Sequence, residues 1–186
     1  SGKIEDCHQL FDSCYNISGA YVTNSAGTAY GQTREFVTMD KDLSAAGTAN
    51  CYIVSESGMY RFHPVKGNGS ESVGEIKSVS VLWESYGNST LPKVGALIPE
   101  VSYKDGYVSF KTSEKFHEGN AVIAVKDARG EILWSWHIWV VDYNPEVQYH
   151  TYPSGAVMMD RDLGALSNGT DVQSNGLLYQ WGRKDP

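Results

Sequence analysis

The stretch ILWSWHIWVVD, residues 132–142, puts three tryptophans within six positions. In an extended strand alternate side chains point to opposite faces. Ile132, Trp134, Trp136, Ile138 and Val140 then share one face, and Leu133, Ser135, His137, Trp139 and Val141 share the other. The first set is uniformly large and apolar, so it belongs in a β-sheet interior, packed on Val122 and Ala124 or on Val108 and Phe110 from neighbouring strands. Trp139 lies on the mixed face. It either stacks on a ligand beside His137 or is covered by a loop or a second domain. His137 reads first as a sheet histidine with its hydrogen bonds satisfied.

Short alternating runs of the same kind surround this one: Ala20 to Thr23, Glu35 to Met39, Cys51 to Val54, Met59 to His63, Val79 to Glu84, Val101 to Tyr103, Tyr107 to Lys111 and Ala121 to Lys126. Turn residues separate them. YKDGY (103–107) and KDARGE (126–131) read as hairpin turns, where Asp and Gly accept the backbone angles of a tight reversal. No stretch has convincing amphipathic helical period. The expected fold is all-β, an Ig-like antiparallel β-sandwich, followed by the beginning of a second unit. Residues 1–34 form an N-terminal segment with the first strands, 35–145 the sandwich, and 146–186 a C-terminal unit that is either incomplete or docked on the sandwich. The last boundary rests on a repeat: VTMDKDLSA (37–45) returns as VMMDRDLGA (157–165) with six identities in nine.

The 186 residues carry a net charge of −7 and no basic cluster longer than Arg183-Lys184, which removes the attraction that a phosphate backbone needs; no nucleic-acid partner is expected. The apolar runs Ala121–Val125 and Ile138–Val141 fall far short of the roughly 20 residues of a membrane-crossing helix, so no transmembrane segment is expected. Twelve Tyr and five Trp favour strands and contact surfaces. Cys7 and Cys14 are a candidate disulfide, while Cys51 in NCYIV reads as a buried thiol. A zinc site at Cys7, His8 and Cys14 lacks a recognisable fourth ligand. The pairs Asp40/Asp42 and Asp160/Asp162 lack the rest of a calcium loop, and turn formation is their simpler role. Nucleophile elbows, zinc-protease helices and nucleotide loops are missing from the sequence, so no catalytic residue, metal or cofactor is expected. The candidate ligand-binding residues are Trp139, His137, Tyr103 and Tyr107.

Four blocks, taken in order, carry a resemblance: ANCYIVSESGMYRFHPVKGNG (49–69), VLWES (81–85), GNAVIAVKDARGEILWSWHIWVVD (119–142), and MMDRDLGAL (158–166) with GLLYQWGRKDP (176–186). Over about residues 35–186 the chain resembles the fimbrillin-like and major-paralogous surface proteins of Bacteroidales-type bacteria, commonly outer-membrane lipoproteins built of Ig-like sandwiches. The resemblance implies export to the bacterial cell surface and an adhesive or fimbrial role without catalysis. Its partner would be a glycan, a surface protein or a fimbrial subunit. In such proteins the last block opens a longer C-terminal domain. The rival reading is a carbohydrate-binding module or accessory domain of a polysaccharide-processing enzyme.

Overall fold

The structure, a computed structural model, describes residues 40–87 and 92–186, together with the backbone of five strands among the first 39 residues. The chain divides into two units, Ser1–Met39 and Asp40–Pro186. In the first, β1 (Cys7–Gln9), β3 (Ala20–Asn24) and β4 (Gly27–Tyr30) make a three-stranded antiparallel sheet in the order β1-β3-β4, and β2 (Asn16–Ser18) pairs with β5 (Arg34–Phe36). The side chains of Cys7 and Cys14, and hence their candidate disulfide, lie outside the described residues.

The second unit is built on two four-stranded sheets. One has the order β10-β11-β8-β6, from Glu100–Lys104, Tyr107–Lys111, Met59–Phe62 and Lys41–Asp42. The other has the order β7-β13-β12-β9, from Cys51–Val54, Ile132–Val140, Gly119–Lys126 and Ser78–Ser85. A small hairpin, β14 (Tyr149–Thr151) with β15 (Val157–Met159), and a 3-10 turn at Val172–Ser174 follow. Pairing is antiparallel except in two short ladders, β6 with β8 and β7 with β13, which run parallel. The YKDGY turn closes β10 onto β11 with Asp105 at φ 52° and Gly106 at φ 82°, two successive positive angles that match the twist of the flanking strands.

The sheets meet through one apolar layer. Tyr60, Phe62, Val108 and Phe110 from the first sheet pack with Trp136, Ile138, Val140, Ala121, Ile123 and Val125 from the second, and the Phe62 and Trp136 rings lie 5.1 Å apart. Residues directly opposite in an antiparallel ladder share a face. Trp136 therefore shares its face with Ile123 and Ile138 shares its face with Ala121, whereas Val122 and Ala124 stand on the other face with His137 and Ser135. This corrects the expected neighbours on β12, which are the odd-numbered residues. Val108 and Phe110 do pack there.

The alternation in the tryptophan strand also breaks at its start. A bulge sets Val125 opposite Trp134 but Lys126 opposite Ile132, skipping Leu133. Parity flips at such a point. Leu133 turns onto the core, and Ile132, expected inside, is 52% exposed. Trp134 is half-buried, with its indole N–H donating to Asn50 Oδ1 at 3.1 Å.

One charge is built into an inward-facing position. Glu84, opposite Ala121, is buried and accepts backbone N–H bonds from Ala96, Leu97 and Ile98 at 2.9, 3.0 and 2.9 Å. Three donors converging on a carboxylate compensate its lost hydration and pin residues 96–98 against the end of β9.

Among the described residues the repeated segments share a turn, while Lys41–Asp42 forms a strand and its counterpart Arg161-Asp162 does not. Ala45 N–H donates to Asp42 O at 3.4 Å and Ala165 N–H donates to Asp162 O at 2.9 Å. Asp42 Oδ1 also accepts from the N–H and hydroxyl of Ser44, the turn-forming role expected of it. The first copy zips onto β8, whereas Leu163 O in the second takes a single bond from Leu177 N–H.

Three substitutions test this packing. Trp136→Ala is expected to lower unfolding free energy by about 3–5 kcal/mol and Trp134→Ala by clearly less, in urea or thermal melts. Glu84→Ala, which strands three buried N–H groups, is expected to cost about 3 kcal/mol or more.

Candidate functional site

The four residues singled out in the sequence do not come together. Tyr103 stands opposite Val108, on the core side of edge strand β10, and is 39% exposed. Tyr107 projects from the outer face of the same sheet, where the His63 ring stacks on it at 4.0 Å and the Arg61 guanidinium sits 4.4 Å over it. His137 and Trp139 belong to the other sheet, and both are buried.

Their burial corrects the stacking-platform expectation. Trp139 is 0% exposed; its indole N–H donates to Ala165 O at 3.1 Å, and it packs with Val141, Tyr143 and Leu166. The second face of β13 is thus covered by the segment carrying the second copy of the repeat. No surface of Trp139 is left for a sugar. Beside it, His137 Nε2 lies 2.9 Å from Asn120 Oδ1, and Asn120 Nδ2 donates to Gly164 O at 2.9 Å. His137 is a satisfied sheet histidine.

A different set of residues converges at one end of the tryptophan sheet. In the order β7-β13-β12-β9, the pairs Val54–Val140, Val140–Gly119 and Asn120–Ser85 put the ends of β7, β13 and β9 and the start of β12 side by side. The residues just beyond those ends are Ser55, Asp142, Tyr86 and the run Phe116-His117-Glu118. With Leu166 and Gln173 they line an open groove of about 490 Å³. The strands come very close there. A Cβ at Gly119 would meet both Leu97 Cδ1 and the Ser85 carbonyl oxygen at 2.5 Å, so only glycine fits where β12 begins.

The groove has aromatic walls and acidic rims. Tyr86 and His117 stack with centroids 4.7 Å apart and an interplanar angle of 24°. Glu118 Oε1 accepts the Asp142 backbone N–H at 3.0 Å, fastening the loop after β13 to the approach to β12. Among the described residues its lining contains carboxylates, hydroxyls, an imidazole and an amide but no Lys or Arg. Flat apolar rings beside hydrogen-bonding groups suit a neutral, polyhydroxylated ligand with one apolar face. The size is within the range of small-ligand sites. Sequence reasoning passed over these residues because each sits outside a strand. The available signal was that YG, FHEG and DYN follow or precede strands that become neighbours in one sheet.

No family model matches the chain, and no curated protein matches it.

The buried histidine yields a prediction. Burial lowers the His137 pKa to about 4, with the Asp185 carboxylate opposing that shift, against 6.5 for an ordinary histidine. Between these values the unfolded chain takes up a proton that the folded chain refuses. Stabilisation from this group is therefore full above pH 6.5 and is lost as pH falls towards 4, to a total of about 3 kcal/mol. Urea melts across that window should show this slope, and His137→Gln should flatten it.

Proposed function

We propose that this chain is a non-enzymatic binding module of a bacterial cell surface, and that the groove at the end of the tryptophan sheet is its contact with a glycan. The observation that carries this reading is the convergence of Tyr86, Phe116, His117, Glu118 and Asp142 from three adjacent strand ends around one open groove. Loops held by a rigid sandwich are a common location for recognition. Here the loops are held by Glu84, Gly119 and the Glu118–Asp142 bond rather than by their own sequence. The resemblance to fimbrillin-like proteins supports an exported, adhesive role, and the sheet edges offer backbone groups to a neighbouring subunit by strand addition. An accessory carbohydrate-binding domain of a polysaccharide-processing enzyme would use the groove in the same way.

Glycan-array screening followed by calorimetry on the best hit tests the proposal. Tyr86→Ala and Asp142→Ala are each expected to weaken binding at least about tenfold, or 1.4 kcal/mol, with little change in melting temperature. Trp139→Ala is expected to cost stability instead. Binding indifferent to Tyr86 and Asp142, or turnover of a polysaccharide by the chain itself, would overturn the proposal.

A further inference from the structure

Three polar side chains on the covered face of the tryptophan sheet play no part in the groove. Cys51 and His137 stand opposite each other in the parallel ladder of β7 and β13, with Cys51 Sγ 3.2 Å from His137 Nδ1. Across the ring, His137 Nε2 is 2.9 Å from Asn120 Oδ1. The amide of Asn120 is itself oriented, because its Nδ2 donates to Gly164 O at 2.9 Å. Its oxygen therefore faces the imidazole and can only accept, which places the ring proton on Nε2. Nδ1 is left with its lone pair towards the thiol. Nucleophile, proton acceptor and orienting amide follow one another in the order by which cysteine nucleophiles are activated on unrelated folds.

The cover over this relay is held by few bonds. Residues 176–186 make no strand pairing among the described residues. They are tied by Leu177 N–H to Leu163 O at 2.9 Å, by Lys184 Nζ to Ser135 O at 2.9 Å, and by Asp185 to the Ser135 hydroxyl. Tyr179 and Asp185 lie close to the relay: burial, with Cys51 and Asp185 nearby, raises the Tyr179 hydroxyl to about 12, and Asp185 bonds Ser135, two residues from His137 on the same strand. Burial also pushes the Cys51 thiol up to about 12 and His137 down to about 4, so the covered pair rests uncharged. Water reaching the pair reverses the cause of both shifts.

We propose that Cys51, His137 and Asn120 form a latent thiol site, covered by residues 176–186, that exchanges with low-molecular-weight disulfides when the cover lifts. Cys51 loses its S–H proton to His137 Nδ1, and the thiolate attacks one sulfur of R–S–S–R. The Cys51–S–S–R bond forms as the S–S bond of the reagent breaks. The departing thiolate takes the proton back from the imidazolium and leaves as R–SH. Attack on a carbonyl would further require N–H donors aimed at an oxyanion. Exchange at sulfur requires only the thiolate and a proton acceptor, which is what the relay supplies.

The test is the exchange rate of the intact 186-residue chain with oxidised glutathione, read at Cys51 by peptide mass mapping so that Cys7 and Cys14 do not contribute. Lys184→Ala, which removes one of the cover's two ties to Ser135 and leaves that of Asp185, is expected to speed exchange at Cys51 about tenfold or more. Adding His137→Gln to that variant should remove most of the gain. A rate unchanged by Lys184→Ala overturns the covering role, and a rate unchanged by His137→Gln overturns the relay. Should the double variant not fold, the pH profile of Lys184→Ala decides. Tyr179 and Asp185 are the other titratable groups close to the pair, Lys184 is bound to Ser135 and Asp185, and among the described residues the thiol's hydrogen-bond partner is His137. An isolated thiol loses about tenfold per pH unit below its pKa, whereas the relay predicts less than about a threefold loss from pH 8 to pH 7. A full tenfold loss sinks the proposal.

Discussion

The structure of the second unit depends on β13 being covered on both faces. On one side Trp136, Ile138 and Val140 close the sandwich against Phe62 and Phe110, and on the other Trp139 and Val141 close against Tyr143 and Leu166. A fully buried indole removes roughly 200 Å² from water, worth up to about 5 kcal/mol at 25 cal/mol per Å². Trp136 gives some of this back, because its buried N–H has no partner among the described residues. Trp139 does not, since Ala165 accepts its N–H. The two rings thus hold different layers together, Trp136 joining sheet to sheet and Trp139 joining the sheet to the chain that follows it.

This double cover accounts for where recognition can occur. A sheet buried on both faces has only its ends and edges left for a ligand, and at one end three strand termini bring aromatic and acidic residues together. The contacts that hold those termini are strong where the loops are short of regular structure: a carboxylate with three N–H donors, a glycine at a position that admits no Cβ, and a carboxylate bonded across two loops. The covered face in turn encloses Cys51, His137 and Asn120, whose hydrogen bonds orient the ring. Packing and chemistry are separated in space, with apolar rings inside and polar groups at the sheet end or under a thin segment.

Period-two alternation made much of this legible. Cys51–Val54 and Tyr107–Lys111 form strands with the expected bounds, the YKDGY hairpin closes as its Asp-Gly pair dictates, and the all-β class follows. Three features were not legible, for physical reasons. The bulge at Val125/Lys126 is set by pairing, not by local sequence, so the inversion of Ile132 and Leu133 leaves no trace in the alternation. The cover on Trp139 comes in part from Ala165 and Leu166, more than 20 positions away, and a mixed face reads alike whether it meets water or another layer. The groove is assembled from strand ends whose adjacency depends on sheet order, including a parallel β7–β13 pair that period alone cannot reveal.

Hydroxyl-radical footprinting of the five tryptophans tests the double burial of β13 most directly. Trp181, which is 100% exposed, serves as the internal reference for a free indole. Trp136 and Trp139 should both be protected by at least about tenfold relative to it, and should lose that protection together on unfolding. Oxidation of Trp139 at the rate of Trp181 in the folded chain would contradict the covered sheet.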